Sequence, residues 1–380
     1  MNKKIVYFPG LNTIRFIAAF IVIVNHIELF KKHLGQPNYA YVDAFFLMGR
    51  LGVVLFFVLS GFLITYLLLI EKEKYNTIDV KKFYIRRILR IWPLYYFLLI
   101  LSLFILPNIH GLEINHWLTK SEITLPVILF CIFFLPNWVI SSYPPIPFFA
   151  QAWSVGVEEQ FYFIWPFLLK RFKNIVFVLF TIIAICLSIK LVLFPVLKFK
   201  LHYWNDNIKI WKLFFDDFLI DTMAIGGLFA YAYFKKSKLL KFFYHPITQL
   251  VTYALMIYFF VTGLNIPYAK SEFFALLFGI LILNVSTNPK AYSKWFNLPL
   301  FDYLGKISYG IYMYHSLCIV LTIKIMVKLN LFNDTWLYII SIGSSIGISA
   351  LSYQYLEKYF LSWKTRFAKV KSTNTIKDLQ

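Results

Sequence analysis

L-N-T-I-R-F-I-A-A-F-I-V-I-V-N-H-I-E-L-F, Leu11 to Phe30, is long and apolar enough to span a bilayer, yet it carries an arginine and a histidine. At about 1.5 Å rise per residue, such a helix covers the roughly 30 Å hydrocarbon core. An ionisable side chain inside it costs a few kcal/mol, so it calls for a role or a partner. Arg15 and His26 are eleven positions apart, about 1100° at 100° per residue, which returns both to one face. Along the axis they stand about 16 Å apart, near half the hydrocarbon thickness. A permanent cation and a titratable imidazole thus share one stripe, half a membrane apart. A signal anchor with a snorkelling arginine would explain the pair in isolation, so the rest of the chain decides.

The rest of the chain extends the pattern. Of 380 residues, 60% are hydrophobic and 15% charged, with a mean hydropathy of +0.67. Soluble domains carry about a quarter charged residues, so the composition selects an all-α integral membrane protein. The net charge of +20 does not signal nucleic acid. Lys and Arg bunch in the short connections between apolar segments, as the positive-inside rule expects. Cys131, Cys186 and Cys318 lie in apolar stretches without metal or redox spacing and read as packing residues. The first segment has no small-residue cleavage site and reads as retained. No linker or internal repeat divides the chain. One membrane domain is expected over residues 1–360, followed by a basic cytoplasmic tail, 361–380.

Lys3 and Lys4 place the N-terminus in the cytoplasm. About ten crossings follow, with both termini inside: Leu11–Phe30, Asp43–Ile70, Ile91–Leu106, Trp153–Leu169, Asn174–Phe194, Phe214–Phe234, Tyr244–Gly263, Glu272–Val285, Ile307–Val327 and Trp336–Leu356. The densest basic loop holds Lys72, Lys74, Lys81, Lys82, Arg86, Arg87 and Arg90. The third span is expected to begin at Trp92-Pro93, with proline in a first turn. The apolar stretch 123–135 is bracketed by Pro126 and Pro136 and is short for a crossing, so the segment near 123–137 reads as re-entrant or interfacial. Lys198 to Lys212 is expected as an external loop, against the charge bias.

Four polar groups stand out. The first is the Arg15/His26 face. The second is R-R-I-L-R, Arg86 to Arg90, where Arg87 and Arg90 share a helix face and their guanidinium forks suit phosphate. Ordinary positive-inside charge or an interfacial lipid site would look the same. The third is Q-A-W-S-V-G-V-E-E-Q-F-Y-F-I-W-P, Gln151 to Pro166, with Glu158, Tyr162 and Trp165 on one face. A carboxylate here needs a partner, unless Glu158 caps the helix in the headgroup zone and Glu159 faces water. The fourth is I-S-Y-G-I-Y-M-Y-H, Ile307 to His315, with Glu357 after the last span. Ser308, Tyr312 and His315 lie close to one face, where a satisfied contact network explains them. Asp216, Asp217 and Asp221 read alike, and Gly226-Gly227 marks close helix packing. No metal set, phosphate-binding loop, nucleophile elbow or dinucleotide fingerprint is present. The residues alone point to a membrane enzyme or transporter with a polar core and an anionic cytoplasmic ligand. A transporter of an anionic or sugar substrate is the rival, against which stands the lack of paired repeats or broken helices.

The motifs together resemble the membrane-bound acyltransferase 3 family: Arg then His eleven residues on, F-F-V-L-S-G-F-L-I-T (Phe56 to Thr65), R-R-I-L-R-I-W-P-L-Y-Y, W-S-V-G-V-E-E-Q-F-Y-F-I-W-P, L-G-K-I-S-Y-G-I-Y-M-Y-H and Y-L-E-K. The resemblance runs from about Gly10 to Glu357 in the family's order. It implies an O-acyltransferase moving an acyl group, usually acetyl from cytoplasmic acetyl-CoA, onto an extracytoplasmic glycan or lipid-linked sugar.

By that resemblance His26 would be the catalytic base and Glu158 the carboxylate of the W-S-x-x-x-E motif. Arg15 would serve the donor cavity, and Arg87 and Arg90 would hold coenzyme A phosphates. Ser60, Trp153, Ser154, Tyr309 and His315 would support them. No metal or tightly bound cofactor is implied. The partners would be acyl-CoA, the glycan acceptor and membrane lipids, with no nucleic acid, in a bacterial-type inner membrane. Val54 stands where many relatives have an acidic residue. No SGNH-type hydrolase-like domain follows the last span, so a stand-alone transferase is expected.

Overall fold

The computed structural model describes residues 6–114, 117–201, 206–263, 266, 269–288, 290, 298–367, 370 and 372–373. The bundle is built from α1 (Leu11–His33), α2 (Asp43–Tyr75), α3 (Val80–Asn108), α4 (Leu125–Ile132), α5 (Pro136–Ser142), α6 (Ala152–Arg171), α7 (Ile175–Leu197), α8 (Asp206–Asp217), α9 (Ile220–Phe234), α10 (Pro246–Thr262), α11 (Lys270–Thr287), α12 (Pro299–Lys306), α13 (Ser308–Lys328) and α14 (Asp334–Lys364). Two short parallel strands, β1 (Val6–Tyr7) and β2 (Ser372–Thr373), tie the ends of the chain together.

Among the described residues seven helices are long and apolar enough to cross a membrane: α1, α2, α3, α7, α11, α13 and α14. The chain is a multi-pass all-α membrane protein. The other three expected crossings fall on α6, on the 17-residue α10, and on a helix that breaks into α8 and α9. That break corrects the expected continuous span Phe214–Phe234. Its cause is the acid cluster: Asp217 takes Arg50 Nη1 at 2.9 Å, the Asp216 carbonyl takes Arg50 Nη2, and Thr222 Oγ1 closes the turn on the Leu219 carbonyl at 2.7 Å. Lys198 to Lys212 is likewise helical on both sides of residues 202–205, which lie outside the described set.

The third span does not begin at Pro93. Its helix starts at Val80, because the Asp79 side chain caps it by accepting from Lys82 N at 3.1 Å. Arg86 to Arg90 are therefore helical, and Pro93 lies inside the helix. The 123–137 stretch holds the eight-residue α4, turns back at Phe134 (φ 58°), and continues as α5. At about 12 Å, α4 is too short to cross.

α2 lies at the centre, against α1, α6, α9 and α11. It meets α9 backbone to backbone: a Cβ on Gly61 would strike the Met223 carbonyl, and one on Gly226 the Val58 carbonyl. The three cysteines are free, buried and packed.

Two groups of charges inside the bundle are partnered. Lys190 of α7 binds Asp221 Oδ2 at 2.9 Å and Glu272 Oε1 at 2.5 Å. Near the far end of α1, Glu28 is wholly buried; it binds Lys31 Nζ at 3.0 Å and the Tyr338 hydroxyl at 2.7 Å. The sequence reading had passed over Glu28. After α14 the chain packs on α3, where Arg86 Nη1 donates to the Phe367 carbonyl at 2.9 Å. The 361–380 stretch thus begins within the bundle.

Candidate active site

At the end of the bundle that carries Arg86 to Arg90, helices α1, α2, α3, α6 and α13 converge on a cavity. It encloses about 780 Å³ free of protein atoms, mouth included. Arg15, Ser60, Arg87, Arg90, Ser154, Glu158, Tyr162, Ser308, Tyr309 and Tyr312 line it. Arg15 is buried and held by Asn12, whose Oδ1 accepts from Nη1 at 2.9 Å. The Arg87 guanidinium lies over Phe83 (5.6 Å) and Tyr162 (5.7 Å), and its Nε is buried without a partner. Lys364, at the end of α14, stands within electrostatic reach of Arg90, Arg87 and Arg15.

Among the described residues no carboxylate comes within 4.0 Å of any of these four cations. Glu158 faces the arginines from further off and takes its hydrogen bond from Ser60 Oγ at 2.6 Å. Glu159 accepts from Trp92 Nε1 at 3.2 Å rather than facing water. A cluster of cations short of counter-charge, Arg15 buried and the other three half-buried, has the electrostatics that suit a multiply charged anion.

The inner wall of the cavity is Phe56 and Tyr312, edge to face at 5.8 Å. The Tyr312 hydroxyl bonds Ser154 Oγ at 2.7 Å and the Gln151 carbonyl at 3.0 Å. Behind this wall His26 Nδ1 lies 2.5 Å from His315 Nε2, with the rings nearly parallel (22°). His315 is fully buried, and its Nδ1 lies 2.5 Å from the Tyr312 carbonyl oxygen. His26 as a residue is half-buried.

A family model described as "Acyltransferase domain" matches residues 8–354. The chain belongs to the acyltransferase 3 family. It is 27% identical over 96% of its length to "Putative O-acetyltransferase SAR0937" of Staphylococcus aureus strain MRSA252. It is 28% identical over 92% of its length to "O-acetyltransferase OatA" of S. aureus strain NCTC 8325. The matches cover 60% and 57% of those two proteins, so this chain spans less than two thirds of the curated relatives it matches. No solved structure matches it.

Of the site residues that the acyltransferase 3 resemblance singled out, Arg15, Ser60, Arg87, Arg90, Ser154, Glu158 and Tyr309 all line one cavity. His26 and His315 form the pair behind its wall. Trp153 does not line it; its ring packs edge-on against Phe57 at 6.4 Å. Lys364 was missed because a lysine beyond the last apolar run carries no signal of folding back. The His26–His315 pairing was missed because the two residues are 289 positions apart.

A second recess, about 1120 Å³ with its opening, lies at the opposite end of α3, lined by Glu113, Trp117, Thr119, Lys120 and Phe148. Trp117 packs on Phe30 (5.4 Å) and His33 (5.8 Å), and Phe30 lies 6.2 Å from the His26 ring. Two ring layers therefore separate this recess from His26. Trp165, expected on one helix face with Glu158 and Tyr162, donates to Thr65 Oγ1 at 2.9 Å.

Proposed function

We propose that this chain is a membrane O-acyltransferase. It moves an acyl group, acetyl first among candidates, from cytoplasmic acyl-CoA to a hydroxyl of an extracytoplasmic or lipid-linked glycan. The observation that carries the reading is the cavity itself: Arg15, Arg87 and Arg90 line one space, Lys364 lies within their electrostatic reach, and no carboxylate lies within 4.0 Å of any of the four among the described residues. Coenzyme A brings phosphates to such a cluster and a slender acyl-bearing arm that suits the narrow interior. The same orientation puts both termini and the basic end in the cytoplasm of a bacterial-type inner membrane, with about ten crossings.

In this reading Arg87 and Arg90, one turn apart on α3, grip phosphates through their guanidinium forks. Arg15 holds the arm deeper in. The thioester reaches the Ser154–Tyr312 wall. Tyr312 donates to the Gln151 carbonyl, so it is the Ser154 hydroxyl, on turning away from Tyr312, that can donate to the oxygen that becomes negative as the carbonyl is attacked. The acceptor hydroxyl comes from the Trp117 side, and His26 removes its proton. Glu158, held by Ser60, sets the charge of the cavity. Mass spectrometry of envelope glycans from cells with and without the gene tests the substrate class. Loss of an acetyl increment in the deletion supports the proposal. Unchanged glycans, with substrate uptake by the purified protein in liposomes, would favour a transporter instead.

A further inference from the structure

The two histidines behind the cavity wall are joined in a chain whose proton positions can be worked out atom by atom. A carbonyl oxygen only accepts, so at 2.5 Å from the Tyr312 carbonyl, His315 Nδ1 must carry a proton. Among the described residues no carboxylate lies within 4.0 Å of either ring, and both sit in apolar helices. A charged imidazole there would stand uncompensated, so His315 is neutral and its Nε2 is bare. That nitrogen accepts across 2.5 Å from His26 Nδ1, which must then be the protonated one. The remaining nitrogen of His26, Nε2, keeps its lone pair, and no partner occupies it among the described residues.

We infer that His315 is the positioning residue of the reaction: it fixes His26 in the tautomer whose Nε2 is free and supports the imidazolium that forms there. This rests on the proposed role of His26 as base. As the acceptor oxygen attacks the thioester carbonyl, its proton passes to His26 Nε2. The His26 Nδ1–H···Nε2 His315 bond becomes charge-assisted at that moment. When the tetrahedral intermediate collapses, the C–S bond breaks, the leaving sulfur takes the proton back from Nε2, and both rings return to neutral. The products are the ester and the free coenzyme A thiol.

A carboxylate is the familiar orienter of a catalytic histidine, but in hydrocarbon it would itself be a buried charge in need of a counter-ion. A histidine backed by a main-chain carbonyl orients the ring without that cost. The role passes through Tyr312, which puts its hydroxyl on the cavity wall and its carbonyl on the histidine pair.

The test compares His315→Leu, His315→Gln and His26→Ala in full-length protein. Acetyl transfer is followed from radiolabelled acetyl-CoA into native envelope membranes, and ¹⁵N spectra of histidine-labelled protein are recorded in nanodiscs. His315→Leu is expected to lower kcat by about 1,000-fold or more, the order seen when the orienter of a catalytic histidine is lost, with KM for acetyl-CoA unchanged. His315→Gln, which offers an amide oxygen to His26 Nδ1–H, should recover at least a tenfold part of that loss. The spectra should show His26 protonated at Nδ1 in the wild type, with that preference gone in His315→Leu. Full activity in His315→Leu, or a wild-type His26 protonated at Nε2, overturns the inference while leaving the base assignment standing. Full activity in His26→Ala removes the base assignment itself. Equal loss in the Leu and Gln variants with an unchanged His26 tautomer would mark His315 as packing only.

Discussion

Arg87→Ala isolates the central electrostatic feature of the cavity. Among the described residues the guanidinium is held by two aromatic faces rather than by an acid, and its Nε has no partner. Two terms set the outcome. Removing the side chain forfeits cation–π contacts of about 0.5–2 kcal/mol, but it also relieves repulsion from Arg86 and Arg90, its near neighbours on α3. The net change in fold stability should therefore stay within about 1 kcal/mol. A ligand phosphate, by contrast, loses a charge-assisted contact of about 1.5–3 kcal/mol, equivalent to roughly 10–150-fold in Kd. Arg87→Lys keeps the charge and loses the fork, so it should fall between wild type and Ala. Isothermal titration of detergent-solubilised protein with coenzyme A gives the affinity, and thermal unfolding of the same samples gives the stability. Wild-type affinity in Arg87→Ala and in the Arg87→Ala/Arg90→Ala double variant would refute the assignment of the cavity to a phosphate-bearing donor.

Other consequences follow from the packing. Lys190→Met leaves Asp221 and Glu272 buried without their cation, a loss of about 3–5 kcal/mol. Thermal unfolding should show it, and adding Asp221→Asn and Glu272→Gln should restore most of it. Gly226→Leu drives a side chain into the Val58 carbonyl, and rigid backbone puts the cost at or above the upper end of the usual 1–3 kcal/mol. Gly343→Ala, where a Cβ meets open space inside a helix, is the control and should leave the melting temperature unchanged or slightly raised, alanine being the better helix former. His26→Ala should abolish acetyl transfer while the protein remains inserted and binds coenzyme A like wild type, measured by the same titration.

Periodicity made much of this legible. Apolar runs located the helices, and the eleven-residue spacing put Arg15 and His26 on one stripe. Glu158 was visible because a carboxylate in a spanning helix is costly enough to need a reason, Arg87 because guanidinium forks suit phosphate, and Ser60 only through the family resemblance. What stayed hidden depended on tertiary geometry. The start of α3 turned on a single capping aspartate, Asp79, that shifted a helix boundary past a proline. The break before α9 falls where Arg50, 167 positions away from Asp217, binds the last turn of α8. Lys364 came within electrostatic reach of the cavity's arginines only because the end of α14 packs against α3. Local propensity carries no trace of such long-range charge pairing.

The central claim is that a hydroxyl on one side of the membrane is acylated from a thioester bound on the other, with His26 taking the proton. Vectorial transfer measures it most directly. Purified protein is oriented in sealed liposomes, radiolabelled acetyl-CoA is supplied only on the face bearing Arg86 to Arg90, and the isolated envelope glycan only on the other. Acetyl ester should accumulate on the glycan side, with coenzyme A thiol released on the donor side, and His26→Ala should give neither. Transfer that persists in His26→Ala, or that requires donor and acceptor on the same face, would contradict the account.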